Sequence, residues 1–181
     1  MSVAWRGLPP VLRSLARWVM IVQLVGYTIS LVFVWHTTRL VPPGIESRYR
    51  GADPESAQGA VGATGAMGAM GAMGAMGAMQ FPKSFAEMLT ITHTHLLSMA
   101  VIFVITGVGV ALCERVGERW KRFLVAEPFV ALLVSFSAMW LMRYVDPRFS
   151  WLLEASSSVL AVTFYVQSYL ILRELGRGGS G

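Results

Sequence analysis

Apolar residues run along this chain in four long blocks separated by shorter polar stretches, and these blocks set the expected fold. A bilayer core about 30 Å thick takes about 20 apolar residues in helix. Residues 18–35, 96–113, 123–142 and 151–172 meet that requirement. The first two blocks carry no charged residue, the third holds only Glu127 and the fourth only Glu154. The pattern predicts an all-α fold, an integral-membrane four-helix up-and-down bundle.

The blocks divide the chain into an N-terminal arm (1–17), a first transmembrane helix (18–35), a long outer loop (36–83), a helix that enters and then spans as the second (84–113), an inner link (114–122), a third span (123–142), an outer turn (143–150), a fourth span (151–172) and a tail (173–181). The second helix has a recognisable start. Pro82 breaks what precedes it, and Ser84 with Glu87 three residues on is a capping-box pair, in which hydroxyl and carboxylate each satisfy an orphan amide. The first block follows Arg6, Arg13 and Arg17 as a secretory signal would, but it is too long and lacks a small-residue cleavage site, so it reads as an uncleaved anchor.

Composition excludes a water-soluble domain. Hydrophobic residues make up 55% of the chain and charged ones 14%, with a mean hydropathy of +0.57. A soluble core of this size would leave a continuous apolar surface outside. The net charge of +5 does not point to nucleic acid, because the cations sit at the ends of the apolar blocks, where they report orientation. Arg6, Arg13 and Arg17 precede the first span, Arg115, Arg119, Lys121 and Arg122 crowd the inner link, and Arg173 and Arg177 close the tail. The other side spreads Arg39, Arg48, Arg50, Lys83, Arg143 and Arg148 over much more chain, so the positive-inside rule predicts both termini in the cytoplasm. Tryptophans agree: Trp18 and Trp120 mark the inner interface, and Trp35, Trp140 and Trp151 the outer. The single cysteine, Cys113, excludes an intramolecular disulfide and a CxxC motif.

The outer loop contains a tandem triplet that begins at Gly59 and ends in five Gly-Ala-Met copies. Glycine at every third position opposes a stable helix, and a flexible tether is the ordinary reading. The sharper one is a thioether string of Met67, Met70, Met73, Met76 and Met79, soft ligands that select Cu(I).

The three histidines are all expected at the outer face. His36 closes the first span, and His93 and His95 sit where the second helix enters lipid. Positions two apart on a helix point about 200° apart, so at most one of the latter pair looks into the bundle. His95, sharing its face with Ile91, Ser98 and Met99, is favoured over His93. A haem b takes one axial imidazole from each of two helices, and His36 with His95 or His93 meets that arithmetic. His36 and His95 with Met99 form a copper alternative, and zinc suits the imidazoles too. The plainer reading makes them interfacial polar residues bonded to Thr90, Thr92, Thr94 or headgroups.

Within lipid, Gln23, Glu127 and Gln167 are each about six residues from the inner boundary, roughly 9 Å deep at 1.5 Å per residue. A layer of Gln, Glu and Gln across three helices reads as interior glue, with a quinone headgroup site or a proton relay as the functional alternative. Pro128 is expected to kink the third helix and free the carbonyl four residues back. At the outer turn, Arg143, Asp146 and Glu154 form either an ion pair that closes a hairpin or an outer shell that orients a histidine ligand. Gly107, Gly109 and the run Ser156, Ser157 and Ser158 offer close helix approach.

The segment MQFPKSFAEMLTITHTHLLSMAVIFVITG, with its TH-x-HLL entry to the second span, resembles small bacterial four-span inner-membrane proteins; IESRYRG upstream and KRFLVAEPF in the third span add to the likeness. The resemblance covers roughly residues 40 to 172 and implies a respiratory or cytochrome-related role, with another membrane subunit or cytochrome as partner beside the lipid. The Gly-Ala-Met run falls outside that likeness. With no nucleophile paired to a base, no complete metal motif and no G-x-x-x-x-G-K-[ST] loop, catalysis is the least favoured class. The expectation is a multi-pass inner-membrane protein of respiratory electron transfer that binds haem b, or less readily copper, at its outer histidines. The alternative is a cofactor-free structural or assembly subunit.

Overall fold

Helix covers most of the computed structural model, which describes residues 4–38, 42–51 and 81–177. Four of its helices are long and apolar enough to cross a membrane: α1 (Pro10–Thr38), α3 (Phe85–Ala111), α4 (Glu118–Tyr144) and α5 (Phe149–Arg177). A short helix, α2 (Pro42–Arg50), follows α1, and a single 3₁₀ turn (Trp5–Gly7) precedes it. At 27 residues, α3 and α4 are each about 40 Å long at 1.5 Å per residue, so they outrun the hydrocarbon. Their charged ends are helix projecting into headgroups and water, which an apolar-block reading leaves out.

The bundle is built unevenly. α4 and α5 share the most extensive contact, and α3 packs on both, while α1 makes its main contacts with α5 and α2. Only 6% of the most apolar stretch of α1 is buried, against 28% in α3 and 39% in both α4 and α5. Large exposed side chains such as Val22, Val25, Ile29 and Val32 on α1 would be untenable in water but are ordinary where lipid is the solvent.

Two apolar clusters fill the interior. The one nearer the end that the positive-inside rule expects outside, called outer on that expectation, gathers Phe103, Ala131, Leu132, Leu160 and Phe164, with Tyr27 packed against it. The inner one joins Trp5, Met20, Val110, Cys113, Leu124, Ile171 and Leu175. Phe164 links α1 to the rest: its ring stacks on Tyr27 at 4.1 Å and meets Phe103 edge-on at 6.3 Å. The Thr28 hydroxyl and Tyr165 phenol, 2.9 Å apart, add a polar tie between the same two helices.

Helix ends follow local chemistry. At α3, the Ser84 amide donates to Glu87 Oε2 at 2.7 Å and the Glu87 amide to Ser84 Oγ at 3.3 Å, which is the capping box the sequence indicates. α2 ends at Gly51, whose φ of 89° is a left-handed conformation that suits glycine.

Gly109 permits a close approach. A Cβ there would lie 2.5 Å from Ile171 Cδ1 and 3.0 Å from its Cγ1, so Gly109→Ala must displace the buried Ile171 side chain that packs α5 on α3. The expected loss is about 1–3 kcal/mol, read by denaturant-induced unfolding in detergent. Gly107→Ala, whose Cβ would meet Val125 at an ordinary 3.7 Å, should be nearly neutral.

Candidate functional site

Polar chemistry in this bundle begins with a proline. Pro128 lies inside α4 and has no amide hydrogen to give the Leu124 carbonyl, so that oxygen is left without its helical donor. Gln167 on α5 fills the role: its Nε2 donates to Leu124 O at 2.6 Å, fully buried. With its nitrogen committed to a carbonyl, the amide turns its oxygen the other way, and Gln167 Oε1 is buried without a partner.

The two apolar clusters fix the depth of this group. On α1, Gln23 falls between Met20 of the inner cluster and Tyr27 of the outer; on α3, Thr106 falls between Val110 and Phe103. On α4, Glu127 and Pro128 lie between Leu124 and Ala131, and on α5, Gln167 and Ser168 lie between Ile171 and Phe164. One polar layer therefore separates the clusters, and all four spans contribute to it. Five oxygens of the layer are buried and have no hydrogen-bond partner: Gln23 Oε1, both carboxyl oxygens of Glu127, Gln167 Oε1 and Ser168 Oγ. Ser168 stands apart from Thr28, Ser30, Thr92 and Ser156, whose hydroxyls each bond the carbonyl four residues back.

The outer end is organised differently. Trp140 Nε1 donates to Thr92 Oγ1 at 2.8 Å, which ties α4 to α3 beside His93 and His95. His36, His93 and His95 are all exposed. The expected inward turn of His95 does not occur, and α1 makes its main contacts with α5 and α2 rather than with α3. Met99, the proposed copper partner, is half-buried against the outer apolar cluster. Among the described residues no three His, Cys, Asp or Glu side chains converge as a metal site. The methionine string Met67 to Met79 lies outside the described residues.

Arg143, Asp146 and Glu154 do not close a hairpin as an ion pair. Arg143 Nε donates to the Lys83 carbonyl at 3.0 Å and its guanidinium lies 5.0 Å from the Tyr144 ring centre. Asp146 Oδ1 accepts the Arg148 amide at 2.7 Å, shaping the turn, and Glu154 Oε2 is buried and unpartnered. Arg50 instead ties α2 to the bundle, its guanidinium donating to the Met142 carbonyl at 3.0 Å, and the Lys83 backbone amide donates to the Tyr49 carbonyl at 3.0 Å. Burial there raises the Tyr49 phenol above its ordinary range.

Ser156 is buried against Ser135, their hydroxyls 2.8 Å apart, whereas Ser157 and Ser158 are exposed. Sequence reasoning missed Trp5. It folds back under the bundle, its indole donating to the Gly109 carbonyl at 2.9 Å, beside an apolar cleft of about 260 Å³ between α1 and α3. It also missed α2. The signal for α2 was the proline pair at 42–43, since proline is favoured at a helix start.

Residues 39–179 match a family described as a transmembrane helical domain. No curated protein and no solved structure matches the chain.

Proposed function

The chain belongs to the Aq_1264_TM family of transmembrane helical domains, and we propose that it works as a non-catalytic structural or assembly subunit of a larger membrane complex. The observation that carries this reading is the outward turn of His36, His93 and His95. Imidazoles on the outside of a bundle, at the level where Trp140 meets Thr92, are placed to bond a neighbouring chain or headgroups, and they do not enclose a ligand within this one. The peripheral packing of α1 supports the same reading, since it leaves long helix faces for protein or lipid neighbours. The excess of cations at the inner ends supports an inner-membrane placement with both termini in the cytoplasm.

A second reading rests on the coincidence of three imidazoles at the outer face. His36 with His95 or His93 would ligate haem b at a joint surface with a cytochrome partner, or copper with Met99, and the protein would serve respiratory electron transfer. The residue chemistry fits an axial imidazole pair.

Optical and metal analysis of detergent-purified protein, with its copurifying partners, separates the two. A colourless preparation that brings down a stoichiometric membrane protein is the expected result. A Soret band that disappears in His95→Ala would overturn the subunit reading in favour of the haem.

A further inference from the structure

Trp5 is held at two points against the end of α3, its amide donating to the Leu112 carbonyl at 3.3 Å and its indole to the Gly109 carbonyl at 2.9 Å. The ring thereby forms one wall of the apolar cleft of about 260 Å³, whose other walls include Leu8, Leu12 and Ala16, Ile105 on α3 and Ile171 on α5. The Trp5 indole is the one side-chain N–H or O–H in this lining, and it is already committed. The cleft therefore offers nothing to a polar ligand and takes hydrocarbon. It opens sideways, where lipid is the solvent: Leu12 and Leu15 on its rim are 46% and 58% exposed. Its volume is below the ~300 Å³ at which small-molecule pockets begin, so it admits a length of one chain.

The rim of this cleft is cationic. Arg6 follows Trp5, and Arg13 and Arg17 follow Leu12 and Ala16, one turn apart along one side of α1. Arg17 Nη2 donates to the Leu175 carbonyl at 3.0 Å, a neutral acceptor that does not cancel its charge. Arg6 lies 3.9 Å from Glu114, with both side chains about half-exposed, and water weakens such a pair. The segments that meet at this end, 4–17, 114–122 and 173–177, carry nine cations against the acids Glu114, Glu118 and Glu174, so the net field is strongly positive.

We propose that the cleft holds one acyl chain of an anionic phospholipid, phosphatidylglycerol in kind, with its headgroup drawn by the positive field around Arg6, Arg13 and Arg17. A hydrocarbon chain matches the lining and a net negative headgroup matches the rim. A zwitterionic lipid supplies the same chain and phosphate but adds a cation that this end repels. Attraction of this kind accumulates over the basic residues near the surface and needs no convergence of guanidinium groups on one point. The site lies at the end of α1 opposite to His36 and is independent of what the histidines meet.

Native mass spectrometry of the full chain, purified in detergent and titrated with phosphatidylglycerol or phosphatidylcholine of identical chains, tests the proposal. One phosphatidylglycerol per chain should be retained at concentrations several-fold below those that phosphatidylcholine requires. Arg6→Gln and Arg17→Gln should each weaken its retention about fivefold and leave phosphatidylcholine unchanged, whereas Ala16→Phe, which fills the cleft, should abolish the preferred binding. Circular dichroism and a monodisperse elution matching the parent chain establish that each variant is folded. Leu12→Trp, at a more exposed position on the rim, makes the same test should Ala16→Phe not fold. Equal retention of the two lipids by the parent chain would overturn the proposal. So would phosphatidylglycerol binding that the folded arginine variants or the folded cleft-filling variant leave unchanged.

Discussion

Truncating Phe164 to alanine is expected to destabilise the bundle by about 3–5 kcal/mol, the range for removing a buried aromatic ring. The ring is 0% exposed, stacks on Tyr27 at 4.1 Å and meets Phe103 and Tyr165 edge-on at 6.3 and 5.7 Å. Lipid tails are as apolar as the ring, so the loss comes from packing and the cavity left behind rather than from exposure to water. Reversible unfolding in mixed detergent micelles reads the effect. Val162→Ala, on the same helix but 63% exposed, should change the midpoint little. Because Phe164 stacks on Tyr27 of α1, its loss should also loosen α1 and let Trp18 and Trp35 respond separately from the rest of the bundle in fluorescence.

The second large effect is conditional on another residue. Gln167→Leu removes the donor from the Leu124 carbonyl, and that oxygen, already denied its helical partner by Pro128, becomes an orphan acceptor in the bundle interior. The expected cost is about 1–3 kcal/mol. In a Pro128→Ala background the new amide can reach Leu124 O along the helix, so the same Gln167→Leu change should cost markedly less. A double-mutant cycle measures this coupling directly. Equal costs in both backgrounds would show that Gln167 does not stand in for the missing helical bond.

How much of this was legible in the sequence depended on whether the signal was local. The four apolar blocks are local, and all became helices. So is the Ser84–Glu87 pair, whose two bonds are present at 2.7 and 3.3 Å. The carbonyl freed by Pro128 was likewise readable, as was the shared depth of Gln23, Glu127 and Gln167, because rise per residue is fixed. Which residue answers that carbonyl was not, since Gln167 lies 43 positions away. Helix ends were read short: α4 starts at Glu118 and α1 at Pro10, and hydropathy sees lipid rather than hydrogen bonding.

The orientation of the histidines escaped sequence for a different reason. Helix periodicity alone cannot say which face of α3 turns inward, nor that α1 makes its main contacts with α5 and α2. Trp5 escaped because its partner, the Gly109 carbonyl 104 positions away, is a backbone group that no side-chain pattern announces. The Arg143 contacts are of the same kind, with a carbonyl of Lys83 taking the place expected for a carboxylate.

The central claim is a membrane threaded four times with the three histidines at one leaflet, and side-specific labelling tests it most directly. In a chain whose Cys113 is replaced by alanine, single cysteines placed at His36, His93 or His95 should react with a membrane-impermeant maleimide from one face of sealed membranes, and a cysteine at Arg177 only from the other. Labelling of position 36 from the face opposite to that of 93 and 95 would contradict the account.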